Sequence, residues 1–212
     1  VIIAANRTRH PLDARTLARL AAQYVGRGVV GFGLSNDERR GTTAEFAPAF
    51  RIARNAGLLA APHGGELCGP ATVRTCLDEL GAGRIGHGVR SVEDPDLLKR
   101  IVDAQVGLEV CPASNVSLGV YRRAEDVPLR QLYDSGARIA LGADDPLLFG
   151  SRLAEQYETA RSVHGFSDTE LAGLARGSVL ASTAPADVQK SLLTEIDDWL
   201  GVNQPVAAPA AS

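Results

Sequence analysis

The sequence predicts a parallel α/β protein, and two observations carry that prediction. Six short β-type apolar runs recur along the chain, and stretches of helical period fill the gaps between them. The runs occupy residues 1–5, 29–33, 58–62, 84–87, 106–111 and 138–142, so their starts lie about 22 to 32 residues apart. That interval holds one strand plus one crossover helix, the repeat of a parallel sheet. Six such βα units fit either an open doubly wound sheet or part of a closed (β/α)8 barrel. A barrel of eight units takes about 250 residues. This chain has 212 and, with its extra C-terminal helices, falls about two units short.

The helices can be justified in chain order. Leu17, Leu20, Ala21 and Tyr24 fall at i, i+3, i+4 and i+7, one apolar stripe, and Gly26 and Gly28 end the segment. Asp94-Pro95 places an N-cap before a proline at the first helical position, and Leu97, Leu98, Ile101 and Val102 supply the buried face. Ser167 with Glu170 forms a capping-box pair that opens a helix through Leu171 and Leu174. Pro185 opens another, carrying Leu192, Leu193, Ile196 and Leu200. After that the residues are small and Ala/Pro-rich, so 1–200 read as one domain and 201–212 as a disordered tail.

Composition narrows the class of protein. With 45% hydrophobic and 22% charged residues the chain can bury a core, which excludes disordered and fibrous readings. Its formal charge of -3, without a block of like charges, excludes a nucleic-acid footprint. The longest apolar runs are too short for a membrane helix, and the start lacks the basic head and cleavage site of a secretory leader. A cytoplasmic protein is expected. Three cysteines (Cys68, Cys76, Cys111) without a CxxC pair argue against a disulfide framework and read as small buried filler. The sequence contains no methionine, so it reads as a processed or truncated piece.

Both candidate architectures place chemistry on the loops after the strands' C-terminal ends. Those positions read His63-Gly64-Gly65-Glu66, Gly86-His87-Gly88, Cys111-Pro112-Ala113-Ser114-Asn115 and Gly142-Ala143-Asp144-Asp145-Pro146. Imidazole nitrogen and carboxylate oxygen are the ligands of hydrolytic zinc, which keeps one position open for water. His63 and Asp144 are placed to reach one ion, and two adjacent carboxylates repel unless a cation relieves them. Glu66 would stand beside the ion and hand over a proton, and His87 would orient the attacking hydroxide. Each residue has a plainer use: a strand-end histidine is commonly a hydrogen-bonded structural group, and Asp144-Asp145-Pro146 can cap a helix. His10 reads as a solvated loop residue. His164 reads as a cation favouring a helix C-terminus, and Arg122-Arg123 as a solvated loop.

Together the motifs HGGE (63–66), RIGHG (84–88), LEVCPASN (108–115) and LGADDP (141–146) resemble the adenosine deaminase family of metal-dependent barrels, in the family's order and spacing. The resemblance implies a (β/α)8 TIM barrel of the metal-dependent hydrolase type, with the last six βα units and the C-terminal helices present here. It implies Zn2+ bound by His63 and Asp144, Glu66 as the acid that protonates the purine ring nitrogen, and His87 as the residue positioning hydroxide. Asp145 would hydrogen-bond the imidazole-side nitrogen of the purine. The reaction would replace a 6-amino group by oxygen and release ammonia.

Two departures from the family follow. The His-x-His pair that supplies two further zinc ligands on the family's first strand does not occur, and the chain is expected to match the family from its third strand onward. An apolar edge at residues 1–5 is therefore expected to be exposed and to favour pairing, a second copy of the chain included. Where typical members read Asp-Leu-Ala-Gly-Asp-Glu, this chain reads Gly33-Leu34-Ser35-Asn36-Asp37-Glu38, which puts Asn36 at a substrate-contacting position. Such changes resemble relatives acting on adenine or aminodeoxyfutalosine, and a nucleoside is ranked slightly ahead of the free base. A non-catalytic, metal-free purine binder is the rival. Cytidine-type deaminases are excluded, because H-x-E with P-C-x-x-C is not found. A nucleotide-binding open sheet is disfavoured, since neither GxGxxG nor a P-loop follows a strand.

Overall fold

The computed structural model describes residues 1–203, and residues 204–212 lie outside it. The chain alternates β1 (Ile2–Asn6), α1 (Pro11–Ala22), β2 (Gly31–Ser35), α2 (Ala47–Asn55), β3 (Leu59–Gly64), α3 (Pro70–Asp78), β4 (Arg84–His87) and α4 (Pro95–Asp103). It continues with β5 (Gly107–Val110), α5 (Pro112–Ser117), α6 (Leu129–Asp134), β6 (Arg138–Leu141), α7 (Pro146–Phe149), α8 (Leu153–Ser162), α9 (Asp168–Leu180) and α10 (Ala186–Asn203). All six strands predicted from the sequence form, each within about two residues of its apolar run.

Strand order decides between the two architectures. The sheet runs β1-β2-β3-β4-β5-β6 with every pair parallel. A doubly wound sheet reverses its order at a switch point; here each strand pairs with its successor, as in a barrel wall. The two faces then differ. Phe32, Leu34, Ala60, Ile85, Leu108, Val110, Ile139 and Leu141 are buried in the core shared with the helices. Phe32 meets Phe50 of α2 edge-on at 5.1 Å between ring centroids, a geometry favoured by the ring quadrupoles. The register places Ala4, Gly33 and Ala61 in one row of the opposite face, and His63, Gly86, Glu109 and Ala140 in another. That second face is the inner wall of the barrel.

Several helix signals hold at atomic detail. Asp94 caps α4 by accepting from the Leu97 amide at 3.1 Å, and Ser167 and Glu170 form the expected capping box on α9. The buried face of α1 is rotated from the predicted stripe, of which Ala21 is buried and Leu17 packs against the core. Ala14, Ala18 and Ala21 are its buried residues, while Leu20 and Tyr24 are 47% and 40% exposed. Alanine lets α1 approach α2 closely, against Ala49 and Ala53, which are also buried. His10 proves to be a cap, its Nδ1 accepting from the Leu12 amide at 3.1 Å. The last helix runs through Asn203, beyond Gly201 where the sequence suggested a tail.

The edge at β1 is exposed as expected, though unevenly: Val1 and Ala4 are exposed, Ile2 and Ile3 half-buried and Ala5 buried. Beyond β6, Leu147 of α7 is fully exposed and Leu148 nearly so. Among the described residues, no helix is long and apolar enough to cross a membrane.

Candidate active site

The C-terminal ends of β3 to β6 converge on one cavity of about 330 Å³, lined by His63, Gly86, His87, Glu109, Cys111 and Asp144 among others. His63 lies on the inner face of β3, opposite Gly86 in register. A Cβ at Gly86 would stand 2.9 Å from His63 Nδ1, so only glycine lets the imidazole lie across β4. The His63 and His87 rings face each other at 5.0 Å between centroids, tilted by 57°.

His87 ends β4 with φ +64°, and Asp144 follows β6 with φ +55°. Left-handed backbone at a residue other than glycine costs about 1–3 kcal/mol and persists where the surroundings impose it. Here it turns two polar side chains into the same space: atoms of Glu66, His87 and Asp144 suited to hold a metal ion lie within 4.8 Å of one another. His63 lines the same cavity but stands outside that tight group. The geometry thus gathers three of the four expected residues closely, with His63 behind them.

Hydrogen bonds orient the cluster. Ser114 donates its hydroxyl to Asp144 Oδ2 at 2.6 Å. Asn115 Nδ2 lies 3.5 Å from His87 Nδ1. With the amide donating, the His87 proton belongs on Nε2, which faces Glu66 Oε1 at 3.5 Å. Burial pushes the Glu66 carboxyl up to about 7, and the carboxylates of Asp144 and Glu38 add to the shift. Burial and the neighbouring His63 hold the His87 imidazole well below its ordinary value. Near neutral pH the 3.5 Å contact therefore joins an uncharged imidazole to a carboxyl that is about half protonated. His63 Nδ1, Glu66 Oε1 and Asn115 Oδ1 are all buried without a hydrogen-bond partner, an arrangement that costs stability and suits atoms reserved for a ligand.

The remaining expectations divide. Asp145 is exposed and occupies the N-cap position of α7 without making a capping bond, so the helix-cap use of the Asp-Asp-Pro motif is absent. Asn36, at φ +82°, is exposed and its Oδ1 accepts from the Asp37 amide at 3.0 Å. Its side chain thus closes a local turn and stands apart from the cluster. His164 lies past the end of α8, and burial together with Arg130 lowers its proton affinity, opposite to the helix-dipole reading. Cys76 and Cys111 are buried, whereas Cys68 is only half-buried in the loop after β3.

Two residues with clear roles were not singled out from sequence. Glu38 is 3% exposed and accepts from the Gly65, Glu66 and Cys68 amides. Arg7 is 1% exposed; it donates to the His63 carbonyl at 2.8 Å and to Thr43 Oγ1 at 3.0 Å. Both are polar residues just past a strand's C-terminal end, the same signal that pointed to His63 and Asp144.

A family profile described as Adenosine deaminase matches residues 1–199. A "Putative adenosine/adenine deaminase" of Streptomyces virginiae is 70% identical over 200 residues, 94% of this chain and 59% of that protein. An "Adenine deaminase" of Rhizobium leguminosarum bv. trifolii is 43% identical over 180 residues, 83% of this chain and 56% of that protein. Among solved structures, the adenine deaminase of Arthrobacter aurescens superposes with a TM-score of 0.87 at 32% identity, covering 94% of this chain and 61% of that one. The chain spans under two thirds of the length of each of these relatives. With the profile matched along nearly the whole chain and the barrel wall shared, the chain belongs to the adenosine deaminase family, whose members are metal-dependent deaminases.

Proposed function

We propose that the chain carries the reacting groups of a zinc-dependent hydrolase that converts a 6-aminopurine and water into the 6-oxopurine and ammonia. The observation that carries this reading is the Glu66 carboxyl, buried beside Asp144 and His87 and pushed up to about 7. A general acid works best with a pKa near the operating pH. Glu66 holds the proton for the ring nitrogen next to the reacting carbon, and protonation there makes that carbon electrophilic. His87, protonated on Nε2 alone, donates toward the entering oxygen. Asp145, with a carboxylate free of a capping bond, accepts from the imidazole-side N–H of the purine.

The donors present fit one half of a zinc site, the His-x-His pair of the family's first strand being no part of this sequence. Imidazoles and carboxylates are the ligands of zinc, and His63 Nδ1 is buried without a partner in the cavity that Asp144 also lines. His63 and Asp144 are the residues that would hold the ion, with Ser114 fixing the carboxylate. When bound, zinc supplies water that ionises near neutral pH.

Adenine is placed first among the substrates, ahead of adenosine and aminodeoxyfutalosine. This reverses the slight nucleoside preference read from the sequence, because the Rhizobium and Arthrobacter relatives are named adenine deaminases. The test is ammonia release from each of the three by the zinc-supplemented chain. The highest kcat/KM is expected with adenine. A higher value with adenosine would reverse the substrate order, and no ammonia from any of the three would refute the reaction.

A further inference from the structure

We propose that Glu38 is the positioning residue for Glu66: its buried carboxylate gathers the backbone N–H groups of the turn after β3 and so fixes where the Glu66 carboxyl stands. The inference rests on the deaminase reading of that turn, and it concerns a residue that does not touch the substrate.

The contacts are unusually complete. Glu38 Oε1 accepts from the Gly65 amide at 2.5 Å and from the Thr72 hydroxyl at 2.6 Å. Its Oε2 accepts from the Glu66 amide at 2.9 Å and the Cys68 amide at 2.8 Å. A carboxylate offers about four acceptor sites, and all four are filled. Glu38 makes no ion pair among the described residues within the 4.0 Å that would define one. Its charge is met by inward-turned peptide dipoles, which bind an anion as a backbone nest does. The turn needs Gly65 for this: its φ is +70°, and a Cβ there would stand 2.4 Å from Val73 Cγ2. The neighbouring segment is pinned separately by Arg7, which donates to the His63 carbonyl.

The Glu66 side chain, by contrast, holds itself weakly. Its Oε1 is buried without a hydrogen-bond partner, so the position of the carboxyl is inherited from its backbone. That backbone is tied to Glu38 at Glu66 itself, at Gly65 before it and at Cys68 two residues on. The loop after β2 thus sets the acid carried by the loop after β3. A misplacement of about 1 Å at a reacting group lowers turnover by about 10²-fold, which is the scale on which such a tie acts.

The test uses the full chain with Glu38→Gln, Glu38→Asp and Thr72→Val. Glutamine keeps the size but points an NH2 group at N–H donors. Amide hydrogen exchange at Gly65, Glu66 and Cys68 is expected to quicken about 10-fold or more in Glu38→Gln, while the Gly142 amide, bonded to Val110 across β5 and β6, keeps its rate. In the zinc-supplemented deaminase assay kcat should fall about 10- to 10²-fold with KM changed by less than about 3-fold. Glu38→Asp should recover part of the loss, and Thr72→Val should shift both readouts the same way by less. Unchanged exchange at the three amides, wild-type kcat in Glu38→Gln, or acceleration that includes Gly142 would overturn the proposal. A wild-type chain without activity would refute the deaminase reading, and the exchange rates would still decide the role of Glu38.

Discussion

The rims of β1 and β2 and the rims of β3 to β6 carry equally polar loops but treat their polar atoms differently. On the first pair, Glu38 has every acceptor site filled, Arg7 bonds a carbonyl and a hydroxyl and leaves only its Nε without a partner, and Asn36 closes its own turn. On the second group, His63, Glu66 and Asn115 each bury an atom with no hydrogen-bond partner. A buried unsatisfied atom costs about 1–3 kcal/mol, so a fold that keeps three together is retaining them against its stability. The difference is one of degree: the polar groups of the first rim are spent mostly on holding loops, whereas the second rim gathers three unsatisfied atoms in one place.

The strongest way to break this contrast is at Glu66. Glu66→Gln keeps the shape and removes the transferable proton, so turnover should fall by at least about 10²-fold while zinc content is unchanged. Near-normal turnover would remove Glu66 from the acid role.

A second prediction concerns stability in the chain stripped of metal. The folded pKa of Glu66, about 7, lies above the ordinary 4.5, so across that window the folded chain keeps a proton that the unfolded chain has released. Stability then falls as pH rises through the window, and the loss is complete above it. Glu66→Gln should gain on the order of 3 kcal/mol over wild type at pH 8 and almost nothing at pH 4. His87, shifted downward, contributes the opposite slope below its ordinary value, and it is titrated in both proteins beside the measurement, because it touches Glu66. Denaturant unfolding at the two pH values measures it, and a pH-independent difference would contradict the assignment.

The smallest effect is expected at Asn36. Its φ of +82° suits glycine, so Asn36→Gly should change stability by no more than about 1 kcal/mol and leave kcat/KM within about 3-fold. A selective loss for one purine would instead return Asn36 to the substrate-binding role suggested by the sequence.

Much of this was legible before any coordinates. Strands showed themselves as short apolar runs because a strand buried on its helix side must be apolar at every second residue. Caps such as Asp94 and Ser167 announced themselves because their geometry is local. The face of α1 was half legible: Leu17 and Ala21 were read as buried, but alanine adds little to an apolar pattern, and packing on α2 and β1 makes Ala14 and Ala18 interior as well. Strand-end placement found His63, His87 and Asp144, and it pointed equally at Arg7 and Glu38. What told bracing residues from reactive ones was the partner each side chain met across the sheet, which depends on contacts 27 to 56 residues apart in sequence.

Zinc binding tests the central contrast most directly. The purified chain, equilibrated with zinc and dialysed, is analysed for metal beside Asp144→Asn and Glu66→Gln. Wild type and Glu66→Gln are predicted to hold equal amounts of zinc, with most of it lost in Asp144→Asn. Equal zinc in all three proteins, or none in wild type, would contradict the claim that the unsatisfied rim of β3 to β6 forms the metal site.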